Sequence, residues 1–446
     1  MSEAPHSLTA TEAARLMREG RLSSVDLVKS CLACIAETEP RLHAWAYLDA
    51  DAALAQAEEL DRIRRAGYAT GALHGIPVGL KDIIDTRDMP TERGTPIFFG
   101  RRPDADAAIV DRLREAGAVI MGKTVTTELA FMHPAATRNP HNTDHSPGGS
   151  SSGSAAAVAA FNVPLAIGTQ TNGSVIRPAS FCGTYGFKPT RGMISRRGVL
   201  QTSVSLDQVG TFGRTLGDVA LLADALAGYD PADPASFAHP RPAMTQGVAA
   251  EVPVGPNLVW FDMAYHDRLD TDARDGLGAV TDLLGARVER MTPAENLNDL
   301  VRVQAIIHEY EICQHLGQVF AENWDQVSPS LQPVITRARK LTAAQYQDAL
   351  AVKTSAEAFF ADLFTEFDAI IAPSATGQAP VFGAGTGDPV FCTLWTLAGL
   401  PAVTLPLLVG ATGLPVGVQL IGARERDDRL LRTASWIQTR VSASAA

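Results

Sequence analysis

The sequence predicts an α/β fold built in layers around a largely buried sheet. Three observations carry this: a helical opening over residues 8–65, short apolar runs alternating with an amphipathic helix from Gly75 onward, and strand-like runs that return after long helical stretches. Apolar runs without polar alternation belong to strands covered on both faces, and their alternation with helices belongs to α/β layers. Because strands resume after the helical stretches, residues 1–446 read as one interrupted domain in which 230–365 is an insert.

In the opening, Thr9 with Glu12 and Ser23 with Asp26 have capping-box-like spacing, and Gly20 stands where a first helix would stop. Cys31 and Cys34 fall inside an apolar-periodic helical segment. Five cysteines, an odd number, make no disulfide framework, so these two read as buried thiols of a reducing compartment. The pattern then predicts a strand over 76–80, a helix over 107–116 stopped by Gly117, and a strand over 118–121. Residues 230–256, rich in Pro, Ala and Asp, read as a long surface connection. Beyond them the pattern predicts a strand over 258–261, helices over 272–284, 297–323 and 342–366, and strands over 369–372, 402–407 and 417–421. The uncharged stretch 397–422 is no membrane span, because Pro401, Pro406 and Pro415 cut it into strand lengths.

Composition narrows the class. With 46% hydrophobic and 20% charged residues, 37 Gly and 27 Pro, the chain suits a folded protein rich in turns. A formal charge of -11 with scattered Lys and Arg argues against a nucleic-acid partner. No basic region followed by an apolar run opens the chain, so the cytoplasm is the expected location and no membrane partner is expected.

Two motifs mislead. Residues 117–124, GAVIMGKT, match the P-loop pattern, yet a helix precedes them and apolar Ala118, Val119, Ile120 and Met121 fill the positions where a phosphate cradle needs mobile backbone. Residues 308–315, HEYEICQH, have the flavour of a zinc-protease helix but lack two histidines four apart, and read as an exposed amphipathic helix. No other His, Cys or carboxylate cluster has metal-ligand spacing, so no metal and no organic cofactor is expected.

The chemistry gathers in three places. Residues 147–157, PGGSSSGSAAA, form a Gly/Ser turn running into a small-residue helix, a geometry that keeps hydroxyls exposed to a ligand. Residues 168–178, GTQTNGSVIRP, follow the apolar run 163–167 and place Ser174 at the tip of a tight turn, where successive backbone N–H groups converge as an oxyanion requires. No GxSxG elbow and no obvious His partner accompany Ser174, so a different base is needed. Lys81, at the end of the predicted strand in LHGIPVGLKD, is the candidate, since burial disfavours an ammonium and frees a neutral amine.

The combination of LHGIPVGLKD, GKTVTTELAF, NPHNTDHSPGGSSSGSAAAVAA, GTQTNGSVIRPASFCGTYGFKPTRG, SLDQVGTFGRT, GLPAVTLP and GLPVGVQLIG resembles the amidase signature enzymes in order and spacing. The resemblance is strong over 8–225, weak over 230–365 and strong again to the C-terminal helix. It implies Ser174 as nucleophile, Ser150 as a cis-peptide serine shuttling protons, Lys81 as base, and the backbone of Thr171, Asn172, Gly173 and Ser174 as oxyanion hole. It also implies Ser151 as a supporting hydroxyl and Phe131 and Met132 as lining of the acyl pocket. The implied fold is a single α/β/α domain with a large, mixed, mostly parallel twisted sheet.

Three positions depart from the family pattern: Gln170 stands where many members have Asp, Asn172 where they have Gly, and Ser152 where they have Gly. Arg177 lies three residues past the nucleophile where many members place it two past. Backbone donors do not depend on side-chain identity, so the oxyanion hole is expected to survive, and these positions bear on loop geometry and substrate choice. With Phe391 and Trp395 added to Phe131 and Met132 as an apolar slot, and the variable 230–365 insert expected to shape it, the resemblance implies an amidase for a small apolar amide, aryl amide or carbamate, with ester side activity. Two alternatives stand beside it: the glutaminase subunit of a tRNA-dependent amidotransferase, and an inactive scaffold on the same fold. A homodimer is compatible with the family.

Overall fold

A computed structural model describes residues 4–445. The opening forms α1 (Ala10–Arg18), α2 (Ser24–Leu42), β1 (Trp45–Leu48) and α3 (Ala50–Arg65). Thr9 and Ser23 cap the first two helices by accepting the amides of Glu12 and Asp26, as the capping spacing predicts. Next come β2 (Pro77–Lys81), α4 (Ala108–Glu115) and β3 (Val119–Thr124). Gly117, at φ +78°, ends α4, and the whole of β3 is buried, so the P-loop letters are spent on a helix stop and a core strand. The stretch that begins with the Gly/Ser turn supplies α5 (Ser152–Ala159), β4 (Leu165–Gln170), α6 (Ile176–Cys182), β5 (Tyr185–Lys188), β6 (Gln208–Gly213) and α7 (Leu216–Leu226).

The stretch 230–256 is a surface connection interrupted by the short α8 (Met244–Ala249). The insert continues as β7 (Leu258–Phe261), α9 (Thr271–Leu284), β8 (Val288–Met291), α10 (Glu295–Glu322), α11 (Gln332–Ala338) and α12 (Ala343–Leu363). The chain closes with β9 (Ala369–Pro373), α13 (Val390–Leu397), β10 (Ala402–Val409), β11 (Pro415–Ile421) and α14 (Asp427–Ala445). Stretch 397–422 is thus largely a hairpin of two strands, and no described helix is long and apolar enough to cross a membrane.

All eleven strands join one sheet in the order β1-β3-β2-β4-β6-β5-β10-β11-β9-β7-β8. The sheet is mixed, but not mostly parallel. Among the described strands β2 runs parallel to β3 and β4, and β7 to β8 and β9, while the other six pairings are antiparallel. The reason lies in the centre, where β10 and β11 are joined by a short turn, and a short turn can only reverse the chain. Parallel triplets fed by helical crossovers occupy the two flanks. Strands β5 and β6, short and broken by Gly186 and Gly210, were not legible from apolar periodicity and sit at the middle of the sheet.

Candidate active site

The C-terminal ends of β2 and β4 lie side by side, Leu80 opposite Ile167 in a parallel ladder. One step further Lys81 comes level with Gly168, the residue before Thr169. The Lys81 side chain is fully buried, and its Nζ lies 2.8 Å from Thr169 Oγ1 and 2.7 Å from Ser150 Oγ. Burial drives the ammonium down from its ordinary value to about 7, while the Asp207 carboxylate pulls the other way. A lysine near 7 is a usable base at neutral pH. Thr169 was not singled out from the sequence, and its part at the site rests on the contact itself.

Ser150 is reached through a cis peptide from Gly149, at the turn before α5. The turn is seated by hydroxyls: Ser152 Oγ donates to Gly148 O at 2.7 Å, and Ser151 Oγ bridges the backbone of Thr169, donating to its carbonyl and accepting from its amide, both at 3.3 Å. A Cβ at Gly168 would stand 2.5 Å from Ser151 Oγ, so only glycine lets α5 approach β4 this closely.

Between β4 and α6 the chain turns through residues 171–175 and presents Ser174. Its hydroxyl makes no hydrogen bond among the described residues and is not sealed off, and it lines a cavity of about 260 Å³. The amides of residues 171 to 174 likewise serve no partner among the described residues. The turn itself is held from both sides. Gln170 Oε1 accepts the amides of Val175 at 2.8 Å and Ile176 at 3.0 Å, and its Nε2 donates to Thr396 Oγ1 at 2.9 Å. Thr396 Oγ1 donates onward to Asn172 O at 2.6 Å, and Thr393 Oγ1 to Asn172 Oδ1 at 2.7 Å. On the other side Thr171 Oγ1 donates to Asp207, and Gln304 of α10 donates to Thr171 O at 3.1 Å and accepts from Asn172 Nδ2 at 3.2 Å. The departures at 170 and 172 are therefore the loop's anchors.

Arg177, on the first turn of α6, sends Nη2 back to Gly149 O at 2.7 Å and to Thr386 Oγ1 at 3.2 Å. It ties the helix that follows Ser174 to the turn that carries Ser150. Burial lowers its guanidinium to about 10.

Phe131 and Met132 line the cavity, as the resemblance implies, with Ala130, Val334 and Pro389. Phe391 and Trp395 do not. On the two-turn helix α13, Thr393 and Thr396 face the Ser174 loop, whereas Phe391 and Trp395, four apart, face the opposite side. There Phe391 packs edge-on against Tyr265 at 5.4 Å and Trp395 against Phe360 at 5.5 Å. Residues four apart share one helix face, so both aromatics leave the site together. Helices α10 and α11 supply Gln304, His308, Glu309 and Arg337, together with Ala305 and Val334. His308 is thus not part of an exposed helix face; it is nine-tenths buried at the cavity, while His315 is exposed.

Comparison with known proteins agrees with this architecture. The family model named Amidase matches residues 26–431. A glutamyl-tRNA(Gln) amidotransferase subunit of Chloroflexus aggregans is 34% identical over 97% of this chain and 96% of its own length. Among solved structures, the peptide amidase of Stenotrophomonas maltophilia superposes with a TM-score of 0.84 at 31% identity, covering 98% of this chain and 97% of its own. A structure of the vestigial protein complex that reveals the origins of an s-triazine catabolic enzyme superposes with a TM-score of 0.91 at 28% identity, over 97% of this chain and 98% of its own.

Proposed function

This chain belongs to the amidase family, the amidase signature enzymes, and from that premise we propose that it hydrolyses a small polar amide through an acyl-enzyme on Ser174. The observation that carries the reading is the buried Lys81 Nζ at 2.7 Å from Ser150 Oγ, beside the cavity that Ser174 lines. Neutral Lys81 takes a proton from Ser150 as Ser150 takes one from Ser174, whose oxygen attacks the amide carbon. The Ser174–Ser150 hydrogen bond of this relay is absent from the free protein's bonds and closes with substrate in place. The amides of 171–174 receive the oxyanion; Gln170, Thr396, Ser151 and Arg177 hold the two turns in register. Ser150 returns the proton to the leaving nitrogen, and water releases the acid by the same route.

The departure of Phe391 and Trp395 from the cavity removes half of the apolar slot expected for aryl amides, and His308 of α10 adds a polar contact to a lining that keeps Phe131, Met132 and Val334, which supports a small amide with a polar group in its acyl part. A second reading within this class is a glutaminase subunit that hands ammonia to a partner. Relatives named for their place in glutamyl-tRNA(Gln) amidotransferase support it over nearly the whole chain. The test is ammonia release from glutamine, aliphatic diamides and aryl amides, with a fluorophosphonate that labels Ser174 and fails on Ser174→Ala. Preference for glutamine together with copurification of a large partner selects the second reading; loss of all labelling in the wild-type protein returns the chain to an inactive scaffold.

A further inference from the structure

One polar group at the cavity is left unused by this mechanism, the imidazole of His308. α10 turns Gln304, Ala305, His308 and Glu309 toward the cavity, and the His308 ring tilts against Phe131 with centroids 4.9 Å apart. Its Nε2 lies 3.1 Å from Thr202 Oγ1. Thr202 has a single hydroxyl hydrogen, and this goes to Asp207 Oδ1 at 3.2 Å, while the Thr202 amide goes to Oδ2 at 2.7 Å. The assignment that satisfies both contacts has Thr202 donating to Asp207 and accepting from His308, with the ring hydrogen on Nε2. Burial holds the imidazole below its ordinary value, which keeps it neutral. Nδ1 is then a bare acceptor. It makes no hydrogen bond among the described residues and is not sealed from the cavity.

The neighbouring polar side chains are already engaged. Asn172 and Gln304 bond each other, Asn172 Oδ1 also accepts from Thr393 and Gln304 donates to Thr171 O, Glu309 is bidentate with Arg337, and the Arg177 nitrogens without partners are occluded. Nδ1 of His308 is therefore an acceptor without a partner among the described residues, open to whatever fills the cavity. An acceptor kept bare in a substrate site selects a ligand that brings a donor, because any other ligand buries it unpaired.

We propose that His308 is a specificity-determining residue whose Nδ1 accepts a hydrogen bond from the substrate, so that the enzyme takes small primary amides bearing a second N–H group. The proposal rests on the reading of this cavity as the substrate site of a Ser174 amidase. It is tested on the full-length protein with isosteric pairs: succinamide against 4-oxopentanamide and malonamide against 3-oxobutanamide, each pair differing by NH2 against CH3. Ammonia release should favour the diamide of at least one pair by about tenfold in kcat/KM, beyond its two equivalent amides. His308→Phe, which keeps the ring against Phe131, should bring the ratio to about one by slowing the diamide alone, whereas His308→Gln, which keeps an acceptor, should retain part of it. Rates are divided by fluorophosphonate-labelled sites, so a poorly folded variant does not mimic the effect. An unchanged preference in His308→Phe, equal rates within both wild-type pairs, or no turnover of any of them by protein that still labels at Ser174 would overturn this assignment. Absence of labelling would instead overturn the reading of the site itself.

Discussion

At the residue scale the proposed mechanism rests on a lysine deprived of water. Lys81 sits at about 7, against an ordinary value above 10, because no solvent reaches its ammonium. A depressed value means that the amine is neutral above about pH 7 and protonated below it. Activity should therefore fall on the acid side, with kcat/KM dropping about tenfold per unit once the pH is well below 7, since only the neutral form accepts the Ser150 proton. Lys81→Arg keeps a cation at the position but can never supply a neutral base, so kcat/KM should drop about 10²- to 10⁴-fold. Lys188 provides the control. It is also buried and pushed to about 7, yet its Nζ is bound to Gln208 and Leu400 O in the core, so Lys188→Met should leave the acid limb of the profile in place. A pH–rate profile that stays flat from 5 to 8 would sink the role given to Lys81. A strand end marked Lys81 and a tight turn marked Ser174 in the sequence, whereas Ser150 and the roles of all three came from the resemblance to the amidase signature enzymes. Thr169 and His308 were not legible there, since their neighbours at the site come from elements far away in the chain.

At the element scale, α13 shows why a residue list near a motif does not give a pocket. Its two faces serve different ends, and substitutions on them should separate. Thr396 joins Gln170 Nε2 to Asn172 O; Thr396→Val leaves both without that partner and loosens the loop, so kcat should fall about tenfold while the loss of stability stays at about 1–3 kcal/mol. Trp395 is core, and Trp395→Ala should lower unfolding free energy by about 3–5 kcal/mol with kcat per labelled site unchanged. Urea unfolding and titrated-site kinetics on the two variants measure both effects, and a Trp395→Ala enzyme with normal stability but altered substrate choice would put the aromatic back in the pocket. The same lesson applies to α10, whose helical pattern was plain in the sequence while the face meeting the cavity was not. Amphipathic periodicity tells that a face is covered, not what covers it.

At the scale of the whole molecule the sequence reading recovers the layers and most strands, and misses the two edge strands β1 and β8 and the centre of the sheet, where short glycine-broken strands pair antiparallel. That centre is where two apolar clusters meet. Phe212 of β6 belongs to one and Phe187 of β5, its neighbour in the sheet, to the other. The helices that build the site cross this seam. α6 gives Ile176 to one cluster and Ala179 to the other, and α10 gives Ile307 and Ile312 in the same way. A sheet that runs unbroken through the seam, stitched by two helices, has no plane along which half could melt alone, so one cooperative transition is expected in spite of the chain's length. The tryptophans make this measurable: Trp45 and Trp324 pack on the first cluster, Trp260, Trp395 and Trp436 on the second. In a variant that keeps only the first pair, and in one that keeps only the other three, fluorescence and far-UV circular dichroism should give the same urea midpoint within each variant. A fluorescence midpoint that departs from the circular dichroism midpoint in either variant would mean that the clusters unfold separately, and that the Ser174 loop lies on the boundary between two independently stable halves.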